Sequence, residues 1–195
     1  MGNICTLDEF PDKYCYGKSI DILEKREKIG DYISNGNFGI CRKIENKDYC
    51  VKIIRSKDKK VISTTDNLLD VDVDKIYEEI DILQSLDHTN IIKYVDHTIE
   101  YLSNKCSYIF ITTVYSKGKE LIDYLIDQDY IMEYSTKNKI IYQLIDAIHY
   151  LHSKDIIHGD LKCENIIFDP WSENITVLDF GSSFIHNGEA NRQVL

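Results

Sequence analysis

The feature that most constrains this chain is a polar loop framed by short apolar runs. It reads Ile156-Ile-His-Gly-Asp-Leu-Lys-Cys-Glu-Asn-Ile-Ile-Phe168, and after a polar turn Val177-Leu-Asp-Phe-Gly181 follows. The loop presents one acid, Asp160, one cation, Lys162, and one amide, Asn165; a second acid, Asp179, comes after the next run. A hydroxyl nucleophile needs an acceptor for its proton, a phosphoryl group in transfer needs a cation, and Mg2+ takes oxygen ligands from a carboxylate and an amide. These four side chains meet those requirements. The competing interpretation, a hairpin with two ordinary turn carboxylates, leaves the coincidence of several uncommon residues without a cause.

The spacing from Asp160 to Asn165, with the Asp-Phe-Gly that follows, resembles the catalytic loop and metal-binding motif of eukaryotic-type protein kinases. Lys162, two residues after Asp160, matches the serine/threonine form of that loop. Lys-Cys-Glu-Asn and Asp-Phe-Gly-Ser-Ser together most resemble the calmodulin-kinase-like branch, which includes the PIM and PAS kinases. The resemblance implies transfer of the ATP γ-phosphate to protein serine or threonine. It casts Asp160 and Lys162 as catalytic residues and Asn165 and Asp179 as ligands of Mg2+.

Upstream, Glu27 to Arg55 alternates apolar and polar residues around two turn signals, Asn35-Gly36 and Asn46 to Asp48, which predicts three antiparallel strands. The first turn carries Ile33, Ser34, Asn35, Gly36, Asn37, Phe38, Gly39, Ile40 and Cys41. Glycines let a hairpin tip lie close to phosphates, where backbone N–H groups reach the oxygens. The stretch resembles the kinase Gly-rich loop, with Ser34 at the first glycine and Cys41 at the closing valine. Tyr49-Cys-Val-Lys52 resembles the Val-Ala-Ile-Lys motif, which gives Lys52 the α and β phosphates. By the same resemblance Cys41 and Cys50 lie over the adenine with Ile167 beneath it; simple core packing of the two cysteines predicts the same burial.

Val73 to Leu86 places apolar residues at helical spacing, at Val73, Ile76, Tyr77, Ile80, Leu83 and Leu86. Glu79 on this helix corresponds to the glutamate that pairs with the strand lysine, and only the register favours it over Glu78. Asp87-His-Thr-Asn-Ile-Ile92 resembles the turn that follows that helix, which makes His88 structural. Two β segments, Ile91 to Thr98 and Tyr108 to Val114, lead to a hinge at Tyr115-Ser-Lys-Gly118. The resemblance puts Thr113 at the back of the adenine pocket and the backbone of Val114 to Ser116 on the adenine edge. Helices are expected over Glu120 to Asp127 and Ser135 to His152, the second with Ile140, Ile141, Leu144, Ile145, Ile148 and Leu151 on one broad apolar face. Gly159 stands where regulated kinases carry an arginine that pairs with a phosphorylated activation loop, and it offers no charge.

Composition narrows the function classes. Twenty-three Lys and Arg against 33 Asp and Glu give a net charge of −10, which argues against a nucleic-acid surface and favours basic protein substrates. Six cysteines without a Cys-x-x-Cys pair or zinc spacing read as thiols in a reducing compartment, hence a cytoplasmic location. Met1-Gly-Asn-Ile-Cys-Thr6 matches the N-myristoylation pattern at Gly2, with Cys5 as a second acyl site for peripheral membrane contact; an unmodified start is the alternative.

The expected fold is α+β, kinase-like and two-lobed: a five-stranded antiparallel sheet with one helix, then an incomplete helical lobe carrying the catalytic hairpins. Residues 1–26 read as a leader and 27–195 as the domain, with a small lobe over about 27–114 and a partial large lobe over about 117–195. Past Gly181 the chain runs only to Leu195, short of the helices that bind peptide in such kinases. Three readings follow: an ATP-dependent serine/threonine kinase, a truncated kinase-like module that binds nucleotide or a partner kinase without turnover, and a fragment of a longer kinase. The incomplete lobe also suggests self-association.

Overall fold

The computed structural model describes residues 15–36, 39–57, 73–103 and 106–186. Gly2, Cys5, Asn37 and Phe38 lie outside the described residues, as does most of the charged stretch after Lys57. The chain forms two compact units, residues 1–73 with 94–115, and residues 74–93 with 116–195.

The first unit is one antiparallel sheet in the order β1-β2-β3-β4-β6-β5. Its strands are β1 (Ser19–Ile22), β2 (Lys25–Gly36), β3 (Gly39–Ile44), β4 (Tyr49–Lys57), β5 (Tyr94–Ser103) and β6 (Cys106–Val114). The alternation in sequence becomes alternation in burial: Ile40, Arg42 and Ile44 of β3 turn inward, and Gly39, Cys41 and Lys43 are half-buried. Ile29, Ile44, Val51, Ile53, Tyr108 and Phe110 make the core with Ile20 and Ile22.

Among the described residues the sheet has six strands, not five. Ser19–Ile22 belongs to it, within the stretch expected to be a leader. Ser-Ile-Asp-Ile alternates, and its two isoleucines are almost fully buried, so burying them offsets the cost of ordering the segment. Polar contacts tie it to β5 as well. Thr98 Oγ1 donates to the Asp21 carbonyl at 2.8 Å, and Lys18 pairs with Glu100 at 2.5 Å. Cys15, just ahead of β1, is wholly buried in the same core.

The second unit contains α1 (Val73–Ser85, save its first residue), β7 (Lys119–Glu120), α2 (Leu121–Asp127), α3 (Tyr134–Ser153), β8 (Ile156–Ile157), β9 (Ile166–Asp169), β10 (Asn174–Val177) and β11 (Phe184–Ile185). The expected small-lobe helix α1 therefore groups with this unit, and the connection after it shows why. Ile91 forms a parallel bridge to Val177, the Ile92 N–H donates to the Val177 carbonyl at 2.9 Å, and the Val177 N–H donates to Asn90 at 2.8 Å. Ile91 is thus not the start of β5, which opens at Tyr94. His88 has the structural place expected of it, 3.2 Å from Asp146 on α3 and 5.0 Å ring to ring from Tyr150.

The broad apolar face of α3 divides. Ile140, Ala147 and Leu151 are buried, whereas Ile141 and Ile145 are 51% and 58% exposed. One helix residue turns the side chain by about 100°, so a stripe this wide outruns the surface that β8 and β10 offer it. Leu121, Ile140, Ile166, Phe168 and Ile175 form the core under β9 and β10, with the Tyr124 ring edge-on to Phe168 at 4.8 Å. Among the described residues no helix is long and apolar enough to cross a membrane.

Candidate active site

On the first unit, strand register gathers one set of predicted residues. β3 and β4 pair Cys41 with Lys52, β4 and β6 pair Cys50 with Thr113, and β2 and β3 pair Ser34 with Cys41. Directly paired residues share a face and strand neighbours alternate, so Ser34, Cys41, Cys50, Lys52 and Thr113 project from one side of the sheet. Val51 and Ile53, on the other side, enter the core. Cys50 Sγ lies 3.2 Å from Thr113 Oγ1, and burial pushes its thiol pKa up, which keeps it a neutral packing group.

Ile40 departs from the expected set. Its side chain is buried on the core-facing side, so only its backbone is placed to meet a ligand. Gly39 is required by close approach: a Cβ there would meet the Ile53 carbonyl oxygen at 2.4 Å. Ile33 and Asn35 are exposed on β2, and Gly36 pairs with Gly39 across the hairpin. Val114 ends β6 half-buried. Ser116 and Ile167, both half-buried, and Glu79, buried on α1, stand on the second unit.

The second unit brings the polar loop together. β8 ends at Ile157, and His158 follows it, buried, with its ring 4.9 Å from that of Phe180. The Asp160 N–H donates to His158 Nδ1 at 3.3 Å, so Nε2 carries the hydrogen and donates to the Leu178 carbonyl at 2.8 Å. One imidazole thereby ties the residue before Asp179 to the backbone of Asp160. Gly159, between them, is left-handed at φ +80°, and a Cβ would come within 2.3 Å of the Ser182 carbonyl oxygen. Glycine suits that crossing. Ser183 Oγ donates to the His158 carbonyl at 2.9 Å, and β11 pairs with β8, which anchors the segment after Gly181.

Asn165 closes a 3-10 turn, Cys163–Asn165, and is buried. Its Nδ2 donates to the Asp160 carbonyl at 2.8 Å and to Asp160 Oδ2 at 3.0 Å. Both amide hydrogens are spent on Asp160, which leaves the amide oxygen for another partner. Lys162 Nζ lies 2.8 Å from the same Oδ2. The Lys162 ammonium first, and then the Asn165 amide, hold the Asp160 carboxyl below its ordinary pKa, while Asp160 in turn raises that of Lys162. Asp179, exposed and left-handed at φ 55°, accepts the Gly181 N–H at 3.4 Å and acts electrostatically on Lys162. The Leu178 N–H donates to the Asn165 carbonyl at 2.8 Å, which joins the two motifs.

These geometries unite Asp160, Lys162, Asn165 and Asp179 around one loop. The model of the protein kinase domain matches residues 23–194. The chain belongs to the protein kinase family. It is 30% identical over 200 residues to the probable serine/threonine-protein kinase MARK-C of Dictyostelium discoideum, a match covering 93% of this chain and 24% of that protein. It is also 30% identical over 172 residues to the probable serine/threonine-protein kinase KIN1 homolog of Enterocytozoon bieneusi (strain H348), covering 82% of this chain and 27% of the other. The kinase domain here thus spans about a quarter of the length of these relatives.

His158 is the site residue that sequence reasoning passed over. Its signal is position, two residues before Asp160, but a histidine in a loop does not announce which backbone groups its two nitrogens will join.

Proposed function

We propose that the chain supports ATP-dependent phosphorylation of protein serine or threonine, with Asp160 as the residue that receives the acceptor hydroxyl. The observation that carries this reading is the division of labour on the Asp160 carboxylate. Asn165 and Lys162 both engage Oδ2, and Oδ1 has no hydrogen-bond partner among the described residues. A serine or threonine hydroxyl donating to Oδ1 has its oxygen oriented for in-line attack on the γ-phosphorus. As the new O–P bond forms and the bond to the β-phosphate bridging oxygen breaks, the hydroxyl proton passes to Oδ1. A carboxyl held below its usual pKa is a weak base, so that transfer comes late and Asp160 acts chiefly by orientation. Lys162, next to the same carboxylate, supplies positive charge for the phosphoryl oxygens in transit.

The Asn165 amide oxygen and the Asp179 carboxylate fit Mg2+, which takes hard oxygen ligands, few of them from protein, and completes its shell with water and phosphate. When bound it neutralises charge on the phosphates. On the first unit, Lys52 is the proposed contact for the α and β phosphates, with Cys41, Cys50 and Thr113 on the same face of the sheet.

A second reading has one observation in its favour. The exposed Ile141 and Ile145 of α3 suit a kinase-like module that is covered by a protein partner and binds nucleotide without turnover. Phosphotransfer from radiolabelled ATP to a generic basic protein decides between them. Asp160→Asn should lower kcat by orders of magnitude and leave nucleotide affinity within a few-fold, because the carboxylate acts on the acceptor and not on ATP. Equal loss of ATP binding would remove Asp160 from the assigned role. Mg·ATP binding with no transfer from the unaltered chain would favour the module.

A further inference from the structure

β10 lies at one border of its three-stranded sheet, paired with β9 alone, and each of these two strands is four residues long. A hairpin that short is marginal by itself, and the border of a sheet presents N–H and C=O groups that need partners wherever they are buried. Ile175 is wholly buried, so its groups cannot rely on water. Toward Leu178 the 90–92 segment supplies the partners. Val177 donates to the Asn90 carbonyl and accepts from the Ile92 N–H, the pattern of a parallel bridge. The bridge is isolated, and from Glu173 to Ile175 the border meets side chains instead.

Gln143 of α3 takes over there. Its Oε1 accepts the Ile175 N–H at 3.1 Å, and its Nε2 donates to the Glu173 carbonyl at 2.8 Å. A backbone donor fixes the oxygen and a backbone acceptor fixes the nitrogen, so one orientation of the amide satisfies both. A carbonyl and an N–H two residues apart are what a single residue of a parallel neighbour would engage, so the amide occupies the place of a peptide group opposite Asn174. Asn90 completes the border. Its Nδ2 donates to the Ile175 carbonyl at 2.9 Å and to Gln143 Oε1 at 2.7 Å. Asn90 is itself buried, and its N–H donates to His88 Nδ1 at 3.1 Å. Two primary amides thus join α3, the connection after α1, and β10. An apolar side chain at 143 would take from the Ile175 N–H and the Glu173 carbonyl the partners they have here.

We propose that Gln143 is a positioning residue for Asp179. β10 runs through Leu178 into that carboxylate, and Leu178 is bonded at both ends of its peptide, its N–H to the Asn165 carbonyl and its carbonyl to His158. Pairing with β9 sets the register of β10 along the sheet, whereas Gln143 and Asn90 fix its other border against α3. With both borders held, the strand delivers Asp179 at a set separation from Asn165. Groups that orient a metal ligand from behind contribute about 10–100-fold to metal affinity, and Gln143 does so through the strand itself. The proposal rests on the reading of Asn165 and Asp179 as ligands of Mg2+, and it goes beyond that reading by placing control of their spacing on α3.

Gln143→Met keeps the length of the side chain and removes the amide. Gln143→Glu keeps the acceptor for Ile175 and Asn90 and loses the donor to Glu173. Amide hydrogen exchange in Mg2+-free buffer reads the strand without nucleotide or turnover. Gln143→Met should speed exchange at Ile175 about 10-fold, and at Val177 and Leu178 several-fold, with Leu151 on the same helix unchanged. Gln143→Glu should leave Ile175 close to its original rate. The Mg2+ concentration that gives half-maximal stabilisation by ATP should rise about 10-fold in Gln143→Met. Lys139→Met, which removes the pair between Lys139 and the Glu173 carboxylate, should leave that concentration where it was. A merely structural amide would lower the urea midpoint without moving the Mg2+ dependence, and that result would overturn the proposal. Faster exchange confined to Ile175 would overturn it too. An unaltered chain whose stability ignores Mg·ATP would refute the metal reading instead, and exchange at Val177 and Leu178 would then decide by itself whether Gln143 holds the strand.

Discussion

Replacing Asn165 by alanine tests the polar loop where it is most constrained. The side chain is buried and gives two hydrogen bonds to Asp160, one to the main-chain carbonyl and one to the carboxylate. A bond between neutral groups contributes about 1 kcal/mol net, and one to a charged group about 1.5–3 kcal/mol. The Asp160 side chain is 37% exposed, so water can replace the lost donor there and the lower end applies. The sum is a loss of about 2–3 kcal/mol, against a total stability of about 5–15 kcal/mol for an ordinary domain. Urea unfolding followed by circular dichroism in Mg2+-free buffer measures it. Hydrogen exchange at the Leu178 N–H, which bonds the Asn165 carbonyl, should accelerate in parallel. Asn165→Asp separates structure from metal binding. It keeps the shape, loses both donors and sets a carboxylate against Asp160, so it should unfold more readily still at neutral pH. Added Mg2+ should restore its stability, and so should a fall in pH, because protonating one acid removes the repulsion. An Asn165→Ala variant within about 0.5 kcal/mol of the unaltered protein would show that the two bonds do not hold the loop.

Three further outcomes follow from the same geometry. Mg·ATP at saturation should stabilise the chain by about 1–3 kcal/mol in a thermal-shift titration, and Lys52→Met should abolish the effect; no shift on well-folded protein counts against both functional readings. Lys162 is the main cause of the low Asp160 pKa, so Lys162→Met should move the acid limb of kcat/KM to higher pH, toward the ordinary carboxylate value, while Lys162→Arg should leave it low; an unmoved limb removes Lys162 from that role. The stability linked to Asp160 has the matching sign, present at neutral pH and lost as pH falls from the unfolded-state value through the depressed one. With glycine at position 159 and the following segment held by β8 and Ser183, phosphatase treatment should leave activity intact; loss of activity that one phosphate after Gly181 restores would show another cation in the arginine's place.

Much of this protein was legible in its sequence because local rules acted alone. β2, β3 and β4 follow from alternation; of the two expected turns, the second lies at Asn46, which takes the left-handed φ of 58° that asparagine tolerates. Asn35 and Gly36, by contrast, stay in β2 and pair with Ile40 and Gly39, because the ladder between β2 and β3 runs on through them. Helix α1 follows from three-four spacing, and the polar loop from several uncommon side chains close together. Nothing in those readings required knowing what lay across the core.

Where contacts between distant segments decided the outcome, the sequence stayed silent. Ser-Ile-Asp-Ile is too short to declare itself a strand, and it becomes β1 only because Ile20 and Ile22 complete a core that Phe110 and Tyr108 bring from far along the chain. Ile91 looks like the opening of β5 and instead bridges Val177, since the loop after α1 is held by β10. The apolar stripe of α3 told which residues could be buried; β8 and β10 chose Ile140, Ala147 and Leu151 and left Ile141 and Ile145 in water. In the site, residue identity supplied Asp160, Lys162, Asn165 and Asp179, but only folding spent both amide hydrogens of Asn165 on Asp160 and placed His158 between Asp160 and Leu178. Sequence determines which groups are present and their local conformation, while partners remote along the chain determine which donors remain free, and that is a property of the packed structure alone.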